Sequence, residues 1–366
     1  MFQSSLLKNF GKCNFLRTTK RIGNKYLKEN SIYNFSIPNI QQGYLNFYED
    51  KCINNYLPVA SFGPWIMTHD SDIIYDCGGY GMLGFGHNPP NLLSKMGGNK
   101  TMANIMTPSF SQKKFSDIYE NFTDFKYEKI MCLNSGSEVN GLACRIANTH
   151  MKTKPVMVNL SHSFHGRTEI PSQLSDSNKD IYKENLSDFS MANRHKTIYS
   201  IEPNNLNSLY KIFQTIDDNN EFPEITVIEP VMGEGNPGYA INSAFYNKLR
   251  QLTKERGGLL LVDSIQAGLR CTGKLSLTSY PGFENCEPPD METFSKALNG
   301  GQYPFSVLAL NSFAAEKYIK GLYGNTMTSN PRALDIASEV LTTFKRDKLD
   351  KNIVEMGGIL LNELKK

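Results

Sequence analysis

An aspartate and a lysine that follow apolar runs are the residues of this chain best suited to chemistry. Asp263 ends the run GLLLVD, and Lys296 comes 33 residues later, just after METFS. Pyridoxal 5'-phosphate (PLP) chemistry needs such a pair, because an acid can keep the pyridine nitrogen protonated and a lysine can form a Schiff base. Most lysines are solvated and many strands end in aspartate, so further motifs are needed.

A turn that could bind a phosphate lies earlier in the chain. Residues 133–150, LNSGSEVNGLACRIANTH, indicate a strand, a glycine-containing turn and an amphipathic helix. Gly136 and Ser137 would then lie at a helix N-terminus, where free N–H groups and the helix dipole attract anions. The alternative is an ordinary helix start, with Ser137 as the cap and Glu138 in the first turn.

An aromatic residue and a histidine follow the next apolar run, in the segment SFHGRT. The ring of Phe164 could lie flat on a planar cofactor, with His165 beside it. Gly166 would leave room for a close backbone approach. A phenylalanine in the core beside a surface histidine would have the same sequence.

Two acids and one loop add further candidate contacts. Glu229 and Glu234 lie on the loop of IEPVMGEGNPG, just after a predicted strand, where open α/β sheets bind ligands. Thr326, in YGNTMTSNPRA, precedes Pro331, which is suited to the first turn of a helix. Its hydroxyl could reach a phosphate in its own subunit or in a neighbouring one. Tyr80, in the glycine-rich segment 78–90, is a candidate substrate contact.

The charge of the chain is concentrated at its N-terminus. Residues 1–28 contain seven basic residues and no acid, which leaves 32 basic against 36 acidic residues elsewhere. The rest of the chain therefore has no basic excess that would favour nucleic-acid binding. The arm alternates cations with Phe2, Leu6, Leu7 and Phe10, a composition typical of a mitochondrial transit peptide. We therefore expect a protein of the mitochondrial matrix; the alternative is a basic disordered tail.

Cysteine usage and hydropathy exclude other classes. The seven cysteines are odd in number and scattered, without a CxxC pair, which favours reduced thiols over a disulfide framework or a zinc site. No apolar run reaches the ~18 residues that a membrane span needs. We expect neither a bound metal nor a membrane span.

From about residue 91 to 320, short apolar runs alternate with amphipathic segments, which favours a mostly parallel sheet with helices on both faces. Segment 64–76 is predicted to be a hairpin. Residues 243–256 are predicted to be a helix with Ser243 or Asn242 as N-cap and Gly257 as its stop. The predicted strands are 129–133, 155–159, 225–229, 258–263 and 304–310.

Taken together and in this order, these segments resemble the class III (ω-amino acid type) PLP-dependent aminotransferases, the group of ornithine, acetylornithine and 4-aminobutyrate aminotransferases. The resemblance covers the chain from about residue 60 onward. It implies the type I PLP-dependent transferase fold, in which a large doubly wound, mostly parallel sheet domain is followed by a small α+β domain. It also implies transfer of an amino group from an amino acid or ω-amino acid to a keto acid, within a homodimer.

The resemblance implies roles for the residues around the cofactor ring. Lys296 would form the Schiff base with PLP and then move a proton between substrate and cofactor. Asp263 would pair with the pyridine nitrogen, and Gln266 would lie near the ring hydroxyl. Phe164 would stack on the ring, with His165 beside it.

Other roles concern the phosphate and the substrate. Gly136 and Ser137 would hold the phosphate, and Thr326 would reach the phosphate in the other subunit. Glu229 matches the glutamate that supports the cofactor-side network. Glu234 matches the glutamate that can pair with a substrate-facing arginine.

The sequence departs from the family pattern in three places. Ser264 follows Asp263 where the family commonly has glutamate, and Arg270 is an unusual residue before Cys271. Family members also continue well beyond Lys366, so the small domain is expected to be incomplete. The expected segments are a transit peptide (1–30), an N-terminal segment (31–90), a large PLP-binding domain (91–320) and the start of the small domain (321–366).

The short C-terminal region leaves two alternatives to an aminotransferase. One is a catalytically weak PLP-fold subunit of a larger mitochondrial assembly, and the other is a PLP-dependent aminomutase, decarboxylase or racemase. Two helices are predicted over 331–366, and Ile336, Val340 and Leu341 are expected to form an apolar stripe without cover.

Overall fold

The computed structural model describes residues 12–31, 56–81, 84–102, 107–149, 153–185 and 197–366. The chain divides into two compact units, Met1–Ser94 and Lys95–Lys366. The segment boundaries expected at residues 30, 90 and 320 remain predictions.

The first unit contains a helix and a three-stranded antiparallel sheet. The helix is α1 (Lys12–Glu29), and the strands are β1 (Pro58–Phe62), β2 (Trp65–Thr68) and β3 (Ile73–Tyr75), which pair in sequence order. The hairpin predicted over 64–76 is therefore confirmed. A short helix, α2 (Pro90–Leu93), follows in the same unit.

Helix α1 packs closely on this sheet. The rings of Phe15 and Phe62 lie 5.1 Å apart, and Thr19 is fully buried. A β-carbon at Gly23 would stand 2.3 Å from the Met67 Sδ, so a larger residue there would displace the Met67 side chain. Part of the segment expected to be a transit peptide is thus a folded helix, and residues 1–11 lie outside the described residues.

The second unit is built on a seven-stranded sheet. Its order is β4-β10-β9-β8-β7-β5-β6, and β10 runs antiparallel to both neighbours while the other neighbouring pairs are parallel. This mostly parallel sheet confirms the predicted fold class. The strands are β4 (Lys129–Leu133), β5 (Pro155–Leu160), β6 (Ile198–Ile201), β7 (Phe222–Ile228), β8 (Leu259–Asp263), β9 (Met291–Phe294) and β10 (Ser306–Leu310).

Helices cover both faces of this sheet because its central strands are apolar on both sides. In β8, Leu260 and Val262 pack in the core on one face, whereas Leu259 and Leu261 pack in the core on the other. The helices are α3 (Phe110–Tyr119), α4 (Gly136–Asn148), α5 (Glu169–Leu174), α6 (Lys179–Asn185), α7 (Leu206–Asp218), α8 (Ser243–Glu255), α9 (Ser312–Lys317), α10 (Pro331–Arg346) and α11 (Leu349–Leu364).

The last two helices differ sharply in burial. Ile336, Val340 and Leu341 of α10 are fully buried, because α10 packs against α3, so the expectation of an uncovered stripe was wrong for this helix. In α11 no residue is buried, and Leu360 and Leu364 are among its exposed apolar side chains. The two predicted helices exist, but only the second presents an open apolar surface.

No helix in the described ranges is both long enough and apolar enough to cross a membrane. The same ranges contain no cluster of histidine, cysteine or carboxylate side chains that could hold a metal ion.

Candidate active site

The ends of two neighbouring parallel strands bring the predicted acid and lysine to one edge of the sheet. Asp263 is the last residue of β8, and it lies opposite Thr293 of β9. Lys296 follows three residues later with a φ of 42°, in the left-handed region that side chains seldom adopt. Because carboxyl ends of parallel strands share an edge, the two residues face the same region.

The Asp263 carboxylate is held by three N–H donors. Its Oδ2 accepts hydrogen bonds from Asn140 Nδ2 at 2.8 Å and from His165 Nδ1 at 2.9 Å, and its Oδ1 accepts one from the Ile265 backbone N–H at 3.1 Å. Asp263 is 4% exposed. A buried carboxylate fixed in this way can present its Oδ1, which has only one donor, to a further group.

His165 has one satisfied and one unsatisfied ring nitrogen. Its Nδ1 donates to Asp263, and its backbone N–H donates to Ser175 Oγ at 2.9 Å. The Nε2 atom is buried and has no hydrogen-bond partner among the described residues. A buried polar atom of this kind is costly unless a bound molecule or water satisfies it.

The first turn of α4 offers backbone N–H groups to an anion. Ser135 is the N-cap, because its Oγ accepts from the Glu138 N–H while Glu138 Oε2 accepts from the Ser135 N–H. The alternative in which Ser137 caps this helix was therefore wrong. Within the described chain, the N–H groups of Gly136 and Ser137 have no acceptor and point out of the helix start.

The loop after β5 closes tightly over this turn. The Arg167 N–H donates to Ser137 Oγ at 3.2 Å. Gly166 has a φ of 127°, and a β-carbon there would stand 2.4 Å from Ser137 Oγ. Glycine is required at this position both for conformation and for space.

Glu229 connects two loops from a buried position. Its carboxylate accepts from the Phe164 N–H and the Gly233 N–H, each at 2.9 Å. Burial raises the pKa of Glu229 to about 7, against the opposing effect of nearby His165. A β-carbon at Gly233 would overlap Gln266, so the same loop lies against the half-buried Gln266.

Lys296 is partly buried near these acids. Burial lowers the pKa of Lys296 below that of an ordinary lysine, although the attraction of Asp263 and Glu234 partly raises it. A lysine with a lowered pKa is more often the neutral amine that attacks carbonyl groups and accepts protons.

Arg167 and Glu234 form an ion pair at the rim of the site. Arg167 Nη2 lies 2.9 Å from Glu234 Oε1, and the guanidinium carbon lies 5.3 Å from the centre of the Phe164 ring. The two side chains are 31% and 41% exposed, so a ligand from solvent can compete for either charge. The structure thus places Glu234 beside an arginine of SFHGRT.

The structure does not bring Thr326 into this cluster. Thr326 is exposed on a loop whose neighbours Tyr323 and Asn325 bond to Glu138 at the start of α4. Tyr80 belongs to the first unit, in the turn Gly79–Gly81, and its side chain lies outside the described residues.

The departure at Ser264 places a hydroxyl beside another buried acid. Ser264 Oγ donates to Glu292 Oε1 at 2.6 Å, and Tyr127 and Ser276 also donate to this carboxylate at 2.6 Å. Glu292 is fully buried, and burial raises its pKa. The Glu292 carboxylate of β9 therefore lies next to Ser264, the position where the family pattern has a glutamate.

These residues fit a PLP group. The open N–H groups of Gly136 and Ser137 suit a phosphate, Asp263 suits a protonated ring nitrogen, and Lys296 suits an aldehyde carbon. The unpartnered Nε2 of His165 independently indicates that a polar group belongs beside this pair.

Sequence reasoning missed three contributors, Asn140, Arg167 and Thr293. Asn140 lies four residues after Gly136, on the same helix face, and this spacing could have indicated it. Arg167 was visible beside Phe164 and His165 but received no role. Thr293 has no local signal, since its importance comes from its contact with Asn140.

Comparison with known proteins identifies relatives of the chain. The family model described as aminotransferase class-III matches residues 50–366. Ornithine aminotransferase 1 of Staphylococcus aureus is 27% identical over 325 residues, covering 85% of this chain and 78% of the relative. Acetylornithine aminotransferase of Prochlorococcus marinus is 30% identical over 241 residues, covering 64% of this chain and 54% of the relative.

Solved structures agree on the fold. Taurine:2-oxoglutarate aminotransferase from Bifidobacterium kashiwanohense, in complex with PLP and glutamate, superposes with a TM-score of 0.77 at 17% identity, covering 89% of this chain and 76% of that one. Ornithine aminotransferase from Toxoplasma gondii superposes with a TM-score of 0.74 at 20% identity, covering 95% and 78%.

Proposed function

The chain belongs to the class-III aminotransferases, which depend on PLP, and from this premise we propose how its residues divide the work of amino transfer. The observation that carries the proposal is the pairing at one sheet edge of a carboxylate fixed by three N–H donors with a partly buried lysine. Bound PLP supplies an electron sink that stabilises negative charge at the substrate carbon.

The residues around the cofactor hold its position and move protons. With PLP bound, Asp263 would keep the proton on the pyridine nitrogen, and the N–H groups of Gly136 and Ser137 would hold the phosphate. The ring of Phe164 would pack against the cofactor. Lys296 would bind the aldehyde carbon between turnovers, and its Nζ would carry a proton between the substrate and the cofactor.

The Arg167–Glu234 pair supports an amino acid as donor. A guanidinium binds carboxylates through paired N–H donors, and a carboxylate binds an ammonium group. Both are accessible at the rim beside Phe164. We propose that the donor is an amino acid or ω-amino acid and the acceptor a keto acid, in keeping with the names of the ornithine and acetylornithine aminotransferase relatives.

We further propose a homodimer in the mitochondrial matrix. Thr326 is exposed on a loop that is anchored to its own chain through Tyr323 and Asn325, so its hydroxyl is available to the cofactor phosphate of a second subunit. The acid-free, amphipathic composition of residues 1–28 supports import, and the part of this segment that forms α1 packs on the sheet of the first unit.

Borohydride reduction tests the central assignment. The protein is saturated with PLP, reduced and mapped by mass spectrometry, with K296A treated in parallel. We expect a phosphopyridoxyl group on Lys296 in the wild type and none at this site in K296A. A stable label on a different lysine would overturn the assignment.

Incubation with amino donors separates the alternatives. An aminotransferase bleaches the visible band of bound PLP with ornithine or another ω-amino acid and releases an aldehyde or keto product, and an added keto acid restores the band. A labelled Lys296 without amino transfer would indicate the catalytically weak subunit, whereas a rearranged amine or carbon dioxide as product would indicate an aminomutase or a decarboxylase.

A further inference from the structure

Asn140 is a buried amide that touches both partners of the acid–histidine pair. Its Nδ2 donates to Asp263 Oδ2 at 2.8 Å and to the His165 backbone oxygen at 2.8 Å. Its side chain belongs to α4, whereas Asp263 ends β8 and His165 lies on the loop after β5. One amide group therefore joins three elements at the site.

The Asp263 carboxylate and the His165 carbonyl, which can only accept, determine which way this amide faces, and Thr293 holds its oxygen end. The Thr293 hydroxyl donates to Asn140 Oδ1 at 2.9 Å. A flipped amide would place Nδ2 against the Thr293 hydroxyl and Oδ1 against the Asp263 carboxylate, where two oxygens would repel each other. Asn140 is 1% exposed and Thr293 is fully buried, so water does not offer an alternative partner.

The two donors on Oδ2 fix the plane of the Asp263 carboxylate. Asn140 Nδ2 and His165 Nδ1 both bind Oδ2, while Oδ1 accepts only from the Ile265 N–H. Rotation of the carboxylate would break two charge-assisted hydrogen bonds in a buried site. Oδ1 therefore stays available, in one orientation, for a ring nitrogen.

The position of Asn140 on α4 adds a second consequence. The same helix begins with Gly136 and Ser137, whose N–H groups suit the phosphate, and Asn140 follows one turn later. The helix whose first turn would hold the phosphate thus also carries the amide that binds the Asp263 carboxylate.

We propose that Asn140, held in place by the Thr293 hydroxyl, is a positioning residue that aligns the Asp263 carboxylate with the pyridine nitrogen of PLP. The inference rests on the proposed role of Asp263 and goes beyond it, because it assigns the alignment to a helix side chain and a strand hydroxyl. Asn140 acts through Asp263 and contacts no reacting atom.

Substitutions of the same shape test this role. N140D keeps the shape but removes the donor to Asp263 and brings two carboxylates together. T293V keeps the shape of Thr293 but removes its hydroxyl, whereas T293S keeps the hydroxyl. Each variant is titrated with PLP, and the dissociation constant and the absorbance maximum of the bound cofactor are recorded, together with the thermal midpoint of the apoprotein.

We expect N140D to bind PLP at least about tenfold more weakly, in line with the loss of a hydrogen bond to a charged group, and to shift the absorbance maximum. T293V should weaken binding by about threefold to fivefold and shift the maximum in the same direction, because a neutral hydrogen bond is lost. T293S should behave as the wild type does, which would support the role of the hydroxyl.

The inference is overturned if N140D keeps the wild-type dissociation constant and absorbance maximum, or if T293V and T293S are indistinguishable. A lower thermal midpoint of the apoproteins with an unchanged absorbance maximum would also overturn it, since that is the signature of a purely structural contact. If N140D fails to fold, the comparison of T293V with T293S still decides. Labelling of Lys296 in the wild type is independent of all these variants, so failure of the proposed function would be recognised separately.

Discussion

The Tyr323 hydroxyl donates a hydrogen bond to Glu138 Oε1 at 2.6 Å, and Oε2 of the same carboxylate accepts one from the Ser135 N–H at the start of α4. Asn325 Nδ2 also donates to Oε1, at 3.2 Å. Glu138 therefore joins the turn proposed to hold the phosphate of its own subunit to the loop proposed to reach the phosphate of the partner. Thr326 lies on that loop, exposed.

Removal of the Tyr323 hydroxyl should weaken cofactor binding indirectly, through the loop that carries Thr326. In Y323F the loop loses a hydrogen bond to a charged group, so Thr326 is held less firmly. We expect the PLP dissociation constant to rise by about threefold to tenfold, as part of the ~1.5–3 kcal/mol of such a bond is transmitted. Y199F is the matched control, because Tyr199 donates to Glu221 at 2.7 Å far along the chain from this loop. Equal PLP affinity in both variants would contradict the coupling.

Gly166 should tolerate no side chain. G166A places a β-carbon 2.4 Å from Ser137 Oγ and 3.0 Å from the Ser137 Cα, at a φ of 127°. We expect a loss of about 3 kcal/mol or more in the free energy of unfolding, together with weaker PLP binding. G238A is the control, since Gly238 also has a positive φ, of 81°, but no atom within 4 Å of the added carbon. It should cost about 1 kcal/mol in urea unfolding. Similar losses in both variants would show that conformation alone, without the contact, explains the glycine.

The pH dependence of the rate at which PLP attaches to Lys296 should reflect the lowered pKa of this lysine. Burial lowers this pKa, so the neutral amine appears at a lower pH than in an ordinary lysine. The rate of PLP attachment to apoprotein, followed by absorbance, should rise to its plateau with a midpoint below that of Nα-acetyl-lysine. E234Q should move the midpoint further down, because Glu234 raises the pKa of Lys296. A midpoint equal to that of Nα-acetyl-lysine would contradict the lowered pKa of Lys296.

Glu229 should make stability depend on pH. Burial raises its pKa from 4.5 to about 7. The folded protein therefore holds this proton more tightly than the unfolded chain does, and stability is lost as the pH rises from about 4.5 through 7. The free energy of unfolding of apo E229Q, relative to apo wild type, should increase across this range by up to about 3 kcal/mol, at ~1.36 kcal/mol per pH unit.

A constant difference in the free energy of unfolding between the two proteins from pH 4.5 to pH 8 would refute the raised pKa. Glutamine has only one acceptor oxygen, so E229Q loses one of the two N–H hydrogen bonds of Glu229. This loss lowers its free energy of unfolding by a similar amount at every pH and does not change the predicted pH dependence.

The two C-terminal helices offer a pair of isoleucines in opposite surroundings. Ile336 on α10 is fully buried, whereas Ile359 on α11 is 45% exposed. We expect I336A to lower the free energy of unfolding by about 2–5 kcal/mol through the cavity it leaves. I359A should change it by less than about 0.5 kcal/mol in urea titrations. Limited proteolysis should cut within α11 before α10. A comparable loss in both variants would mean that another surface covers α11.

Local patterns were enough for most of the secondary structure and for the two central residues. The alternation of apolar runs and amphipathic segments predicted five of the seven strands of the sheet, and Asn242 and Gly257 bounded a helix observed at Ser243–Glu255. Asp263 and Lys296 could be placed together because consecutive parallel strands end at one edge, a rule that needs no knowledge of side-chain packing. The resemblance to the class-III aminotransferases rested on such motifs.

Only the folded chain decided which residues surround that pair and which apolar faces are covered. Asn140 and Asp263 are 123 positions apart, and their contact arises where a helix crosses the end of a strand. The stripe on α10 was visible, but its partner α3 lies about two hundred residues earlier, so its burial could not be inferred from nearby sequence. The helix cap at Ser135 instead of Ser137 depended on which hydroxyl reaches the Glu138 N–H. Periodicity is a local property, whereas contact and burial depend on elements brought together from far along the chain.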